Sequence, residues 1–177
     1  MKIHEAIIFA TKAHEGQVRK GTNIPYIVHP MEVMQILTEN GCDETVILAG
    51  ILHDTLEDTP TTPDDIRRCF GQEVLDLVQN ESEDKSKTWQ ERKQATVDRL
   101  AHASKEVQLV CCADKLSNIK SIYADKQRLG DAVFDRFNAP KEKVQWYYQS
   151  VAQALVKIDG FPMKRDLVDY VNRVFCE

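Results

Sequence analysis

Apolar residues recur every three or four positions along most of the chain. Ile3, Ala6, Ile7, Ala10 and Ala13 do so first, the spacing that gives a helix one buried face. A first helix is therefore predicted to end near Glu15 and Gly16. The stretch QVRKGTNIPYIVHP, residues 17–30, contains Gly21 and Pro25 and predicts a loop or extended segment. Within it Tyr26, Ile27 and Val28 form an apolar, strand-like run. Pro30 suits the first turn of a second helix, Val33, Ile36 and Leu37 give that helix its apolar face, and Gly41 is its expected stop. Asp43 is placed to cap a third helix. That helix is predicted to run on from Val46 through HDTLEDT, residues 53–59, until Pro60 ends it.

Thr62-Pro63-Asp64-Asp65 combines a hydroxyl cap, a first-turn proline and acids at the positive helix end. A short helix to about Phe70 and another over 72–78 follow. NESEDKSK, residues 80–87, is the most polar stretch and predicts a loop with Glu81, Glu83 and Asp84 solvated. Helical spacing resumes over 89–102, 107–123, 141–158 and 164–175, with an irregular segment at 125–140. VQLVCC, within 107–123, carries too little periodicity to separate a buried strand from a helix. The sum is an all-α, single-domain helical bundle covering 1–177, with 159–177 as a C-terminal helical tail.

Composition narrows the function. With 23 basic and 28 acidic residues the formal net charge is -5, which argues against general nucleic-acid or anionic-membrane binding. A polyanionic ligand then needs a local basic patch or a metal, and Arg19, Lys20, Lys115 and Lys120 are the candidates for the patch. The N-terminus is interrupted by charge too early for a signal peptide, and no run approaches a membrane span. Cys42, Cys69, Cys111, Cys112 and Cys176 are odd in number and match no zinc or disulfide spacing. They read as reduced, buried thiols of a cytoplasmic protein. His4, His14 and His102 read as ordinary histidines, and Trp89 and Trp146 as core or interface anchors.

HDTLEDT puts one histidine and three carboxylates behind an apolar run. On a helix His53 and Glu57 share a face, and Asp54 and Asp58 the adjacent one. Imidazole and carboxylate together suit Zn, Mn or Fe. His29 sits between an apolar run and Pro30. Asp114 follows Leu109 to Ala113, where an ionised carboxylate needs a partner or a metal.

The order His29, His53-Asp54, Asp114 resembles the H…HD…D ligand set of the HD-domain metal-dependent phosphohydrolases. RKGTNIPYIVHP (19–30), HDTLEDT (53–59) and ADKLSN (113–118) resemble the hydrolase domain of RelA/SpoT-type enzymes, and the length is similar to the small alarmone hydrolases. The likeness runs over about residues 1–158. It implies one Mn²⁺ on His29, His53, Asp54 and Asp114, with Glu57 and Asp58 positioning and activating the attacking water. The implied substrate is the alarmone (p)ppGpp, cleaved at its 3′-pyrophosphate to GDP or GTP and pyrophosphate. Arg19, Lys20, Asn118 and Tyr147 match substrate-contact positions.

Too little chain lies outside the match for a synthetase domain. The tail is expected to dock on the bundle or to serve a homo-oligomer contact. Two other functions fit the same ligand set: an HD phosphohydrolase for another nucleotide, such as the NADPH 2′-phosphate or a deoxynucleotide, and a non-catalytic alarmone-binding module. A binding module is free to lose Glu57, Asp58 or a ligand, and this chain carries all of them.

Overall fold

A computed structural model describes residues 2–81 and 83–176. Helices α1 (Lys2–Ala13), α2 (Val28–Glu39), α3 (Glu44–Leu52) and α4 (Thr55–Asp58) come first, followed by α5 (Pro63–Phe70), α6 (Gln72–Glu81) and α7 (Trp89–His102). The chain closes with α8 (Lys105–Leu129), a 3₁₀ segment (Gly130–Arg136), α9 (Lys141–Ala154), a 3₁₀ turn (Val156–Ile158) and α10 (Pro162–Phe175). Among the described residues no strand forms, and extended pairing is one isolated bridge, Val18 with Pro25. No helix there is long and apolar enough to cross a membrane.

The core is organised by α3 and α8. Every residue of α3 from Val46 to Leu52 is buried, because α1, α2, α6 and α8 all pack on it. Gly50 lets α2 approach: a Cβ there would stand inside contact distance of Leu37 and 3.1 Å from Val33. Burial runs along α8 from Val107 to Asp125. VQLVCC is thus helix, and α8 continues to Leu129 through the first part of the segment expected to be irregular. The tail helix α10 packs along α8 and α9, and Lys126 Nζ donates to the Val174 carbonyl. Pro162 starts α10 two residues before the predicted Lys164, at the first-turn position that costs proline no hydrogen bond.

Four local expectations are corrected. The run Tyr26–Val28 is turn and helix start, since Val28 already opens α2. The helix at Lys141 does not run unbroken to Ile158, because Leu155 leaves helical geometry with ψ 51. The third helix does not continue through 53–59. Asp43 precedes it with extended backbone but makes no side-chain cap bond. At the other end Thr55 Oγ1 donates to Leu52 O at 2.7 Å, and His53 Nδ1 lies 2.8 Å from Gly50 O. These side chains take carbonyls that the next helical turn would use. Asp54 turns at φ -92, ψ -5, the sparsely populated bridge region where active-site residues often sit.

Candidate metal centre and nucleotide cleft

The break between α3 and α4 aims two side chains at one point. His53, at the end of α3, and His29, on the first turn of α2, are each 1% exposed. Their Nε2 atoms are 3.2 Å apart. Asp54 Oδ2 reaches to 2.9 Å of His53 Nε2 and 3.6 Å of His29 Nε2. From α8, Asp114 Oδ1 comes to 3.1 Å of His29 Nε2 and 3.7 Å of His53 Nε2. All four sequence-predicted ligands therefore converge.

Each donor is supported from outside. Tyr26 Oη donates to Asp54 Oδ2 at 2.6 Å, Asn118 Nδ2 donates to Asp114 Oδ1 at 2.6 Å, and Lys115 pairs with Asp114 Oδ2. Burial and the Asp54 carboxylate push the Tyr26 phenol up, so it stays a donor. Gly50 O can only accept, so Nδ1 of His53 carries a hydrogen and Nε2 is the atom turned to the centre.

Two imidazole nitrogens and two carboxylates converging on one point are the donor set of a borderline or hard divalent cation. Among the described residues, His29, His53 and Asp114 offer ligand atoms that all lie within 4.8 Å of one another, and Asp54 stands outside that mutually close group. The charge balance agrees with that fit. Burial opposes a charged His53, yet Asp54 and Asp114 outweigh it and hold its pKa well above the usual range. Burial wins at His29 and lowers its pKa. The centre thus draws positive charge, and a metal ion supplies it without a proton.

Glu57 and Asp58, on α4, line the same cleft, a cavity of about 220 Å³ with His53, Asp54, Glu81 and Asp114 on its walls. Glu57 is 21% and Asp58 41% exposed at the side chain. Burial, then the neighbouring Asp58, raises the Glu57 pKa. Lys85 ties the polar loop to this pair, donating to Glu57 O at 2.8 Å and Asp58 Oδ1 at 3.1 Å.

A second cavity, about 330 Å³, shares Tyr26, Lys93, Lys115 and Asn118 with the first. Arg19, Lys20, Asn118 and Tyr147, the predicted contact residues, all line it. Arg19 Nη2 donates to Asn118 Oδ1 at 3.0 Å, and Lys20 Nζ to Asn138 Oδ1 at 3.3 Å. The Tyr147 hydroxyl is buried with no hydrogen-bond partner, and Lys93 and Lys115 sit 4.9 and 5.9 Å from its ring centroid. Cations and aromatic rings around one space suit a phosphorylated base, with stacking for the ring and ion pairing for phosphate.

Several residues fall elsewhere than expected. Lys120 stands 5.7 Å from the Tyr170 ring of α10 and does not line the cleft. Glu81 and Glu83 are not solvated. Glu83 is 10% exposed and holds Arg92 at 3.3 Å and Lys93 at 2.7 Å. Glu81 lines the metal cleft, where burial outweighs Lys115 and pushes its pKa up to about 7; Asp84 alone of the three is openly exposed. Cys111 and Cys112 are buried, but Cys69 and Cys176 are exposed. His14 is buried and its ring packs 4.7 Å from that of Tyr26. Trp89 serves the cleft rather than the core alone, edge-on to Tyr147 at 6.3 Å.

Lys93 and Arg136 are cleft cations that the sequence reading missed. Arg136 is held by Asp125 Oδ2 at 2.6 Å. For Lys93 a signal existed: it lies one helical turn beyond Trp89, so the two share a face of α7.

A family model described as HD domain matches residues 6–140. This chain belongs to the HD-domain family. Among curated HD-domain relatives, the guanosine-3′,5′-bis(diphosphate) 3′-pyrophosphohydrolase MESH1 of Xenopus tropicalis is 41% identical over 68% of this chain and 69% of its own length. MESH1 of Homo sapiens is 36% identical over 97% of this chain and 91% of its own. A solved metazoan ortholog of SpoT, described as hydrolysing ppGpp and playing a role in starvation responses, superposes with a TM-score of 0.81 at 29% identity. It covers 97% of this chain, which in turn covers 94% of it.

Proposed function

We propose that this HD-domain chain is a Mn²⁺-dependent hydrolase of the 3′-pyrophosphate of (p)ppGpp, giving GDP or GTP and pyrophosphate. The observation that carries the reading is the junction of the two cavities. A two-histidine, two-carboxylate centre opens on a space lined by cations and aromatic rings. The Homo sapiens relative named for this hydrolysis matches 97% of this chain. We read residues 1–177 as one hydrolase domain with 159–177 as its docked tail, acting in the cytoplasm on a small nucleotide.

In this reading His29, His53, Asp54 and Asp114 hold the metal. Bound there, a divalent ion supplies Lewis acidity toward phosphate oxygens and a water that is acidic near neutrality. Glu57 accepts the proton of the attacking water, a role its raised pKa suits. Asp58, tied to Lys85, orients that water. Lys93 and Lys115 face the negative charge of the pyrophosphoryl group under attack, whose bond to the ribose 3′-oxygen breaks as that to water forms. Arg19 and Lys20 hold phosphate and base, Asn118 fixes the ribose edge, and the free Tyr147 hydroxyl has a hydrogen bond to give.

The test is the product pair. Purified protein incubated with ppGpp and Mn²⁺, with nucleotides separated by ion exchange, is expected to yield GDP and pyrophosphate in equal amounts. Release of inorganic phosphate with a trimmed tetraphosphate left behind would contradict the assignment.

A further inference from the structure

Behind His29, away from the cleft, two side chains form a chain that the reaction above does not use. His29 Nδ1 is 2.8 Å from Ser117 Oγ. Ser117 Oγ donates at 2.7 Å to Glu32 Oε2. His29 and Ser117 are each 1% exposed, whereas Glu32 reaches the surface beside a shallow groove on α2.

The direction of these bonds decides the state of the imidazole. An ionised carboxylate only accepts, so the one proton of Ser117 is committed to Glu32. Ser117 then shows His29 only lone pairs, and Nδ1 must carry the hydrogen. Nε2 is left bare and faces His53, Asp54 and Asp114. Without Glu32 the serine hydroxyl is free to turn its proton onto Nδ1. That favours the opposite tautomer, whose Nε2–H cannot ligate.

We propose that Glu32, acting through Ser117, is a positioning residue that sets the metal-binding tautomer of His29. The inference rests on His29 being a ligand. It is distinct from the ligand assignment, because Glu32 touches neither the centre nor either cavity of the cleft.

The test uses Glu32→Ala and Glu32→Gln in the full chain, titrated with Mn²⁺ by calorimetry after metal stripping. Glu32 is exposed, so an unchanged melting temperature of the metal-free variants serves as the control for folding. Glu32→Ala is expected to weaken Mn²⁺ binding about tenfold to hundredfold, the range for lost outer-shell partners. Glu32→Gln keeps an acceptor oxygen and is expected to stay within about threefold of wild type. Nitrogen-15 NMR of metal-free Glu32→Ala should show His29 moved toward the Nε2–H form. Equal affinities for wild type and Glu32→Ala would overturn this inference alone. A wild-type chain that binds no Mn²⁺ would overturn the metal reading and this inference with it.

Discussion

Glu57 stands where a carboxylate is costly to ionise, half-buried and beside Asp58, with Lys85 only partly offsetting both. If it is the base, activity is lost on acidification as pH falls through its raised pKa, so the acid limb of kcat/KM is displaced upward from that of an ordinary glutamate. Glu57→Gln is expected to bind Mn²⁺ as wild type does and to lower kcat by about 10²- to 10⁴-fold, removing that limb. A wild-type rate in this variant would sink the role. Asp54→Ala is expected to lose both metal and activity.

Glu81 gives a separate stability test. Its pKa rises from 4.5 to about 7 on folding, so the folded state binds more protons across that window and stability falls as pH rises through it. Glu81→Gln should therefore flatten the pH dependence of the metal-free melting temperature between these values. At pH 8 it should be more stable by about 1–2 kcal/mol, short of the full linkage because the side chain still meets solvent. A steeper dependence in the variant would contradict the cause given. The four converging donors were legible because each sits against an apolar run that gives a charge no cheap alternative. Glu81 and Glu83 were not legible. In NESEDKSK the density of charge points to solvent, and only the fold brings Arg92, Lys93 and Lys115 around them.

At the scale of elements, the site exists because α2, α3 and α8 hold their donors in one register. Helical periodicity predicted all three. It did not predict the break after Leu52, because that break comes from side chains competing for carbonyls rather than from a helix-breaking residue. The close approach of α2 to α3 depends on Gly50. Gly50→Ala forces Leu37 aside and is expected to cost about 1–3 kcal/mol, the usual range for overpacking. Because Gly50 O also accepts from His53, Mn²⁺ affinity should fall in the same variant. Chemical denaturation and metal titration read the two effects, and a variant as stable as wild type would show that α2 is free to shift.

Over the whole molecule the net charge is -5, yet Arg19, Lys20, Lys93, Lys115 and Arg136 line one cavity. Attraction of a polyanion to that cavity is screened by salt, so KM for ppGpp should rise with ionic strength while kcat changes little. Arg19, Lys20 and Lys115 were legible as patch candidates, but Lys93 and Arg136 were not, since long basic side chains look like a solvated face. Lys120 shows the reverse error: its place near ADKLSN put it in the patch, but the turn of α8 points it at Tyr170.

Pyrophosphate release from ppGpp, measured on metal-stripped protein with Mn²⁺ added and again with EDTA, decides whether the two-histidine centre is catalytic. Release that needs Mn²⁺, stops with EDTA and leaves GDP is the predicted result. No release from protein shown to hold Mn²⁺ would contradict it and make the 2′-phosphate of NADPH the next substrate to try.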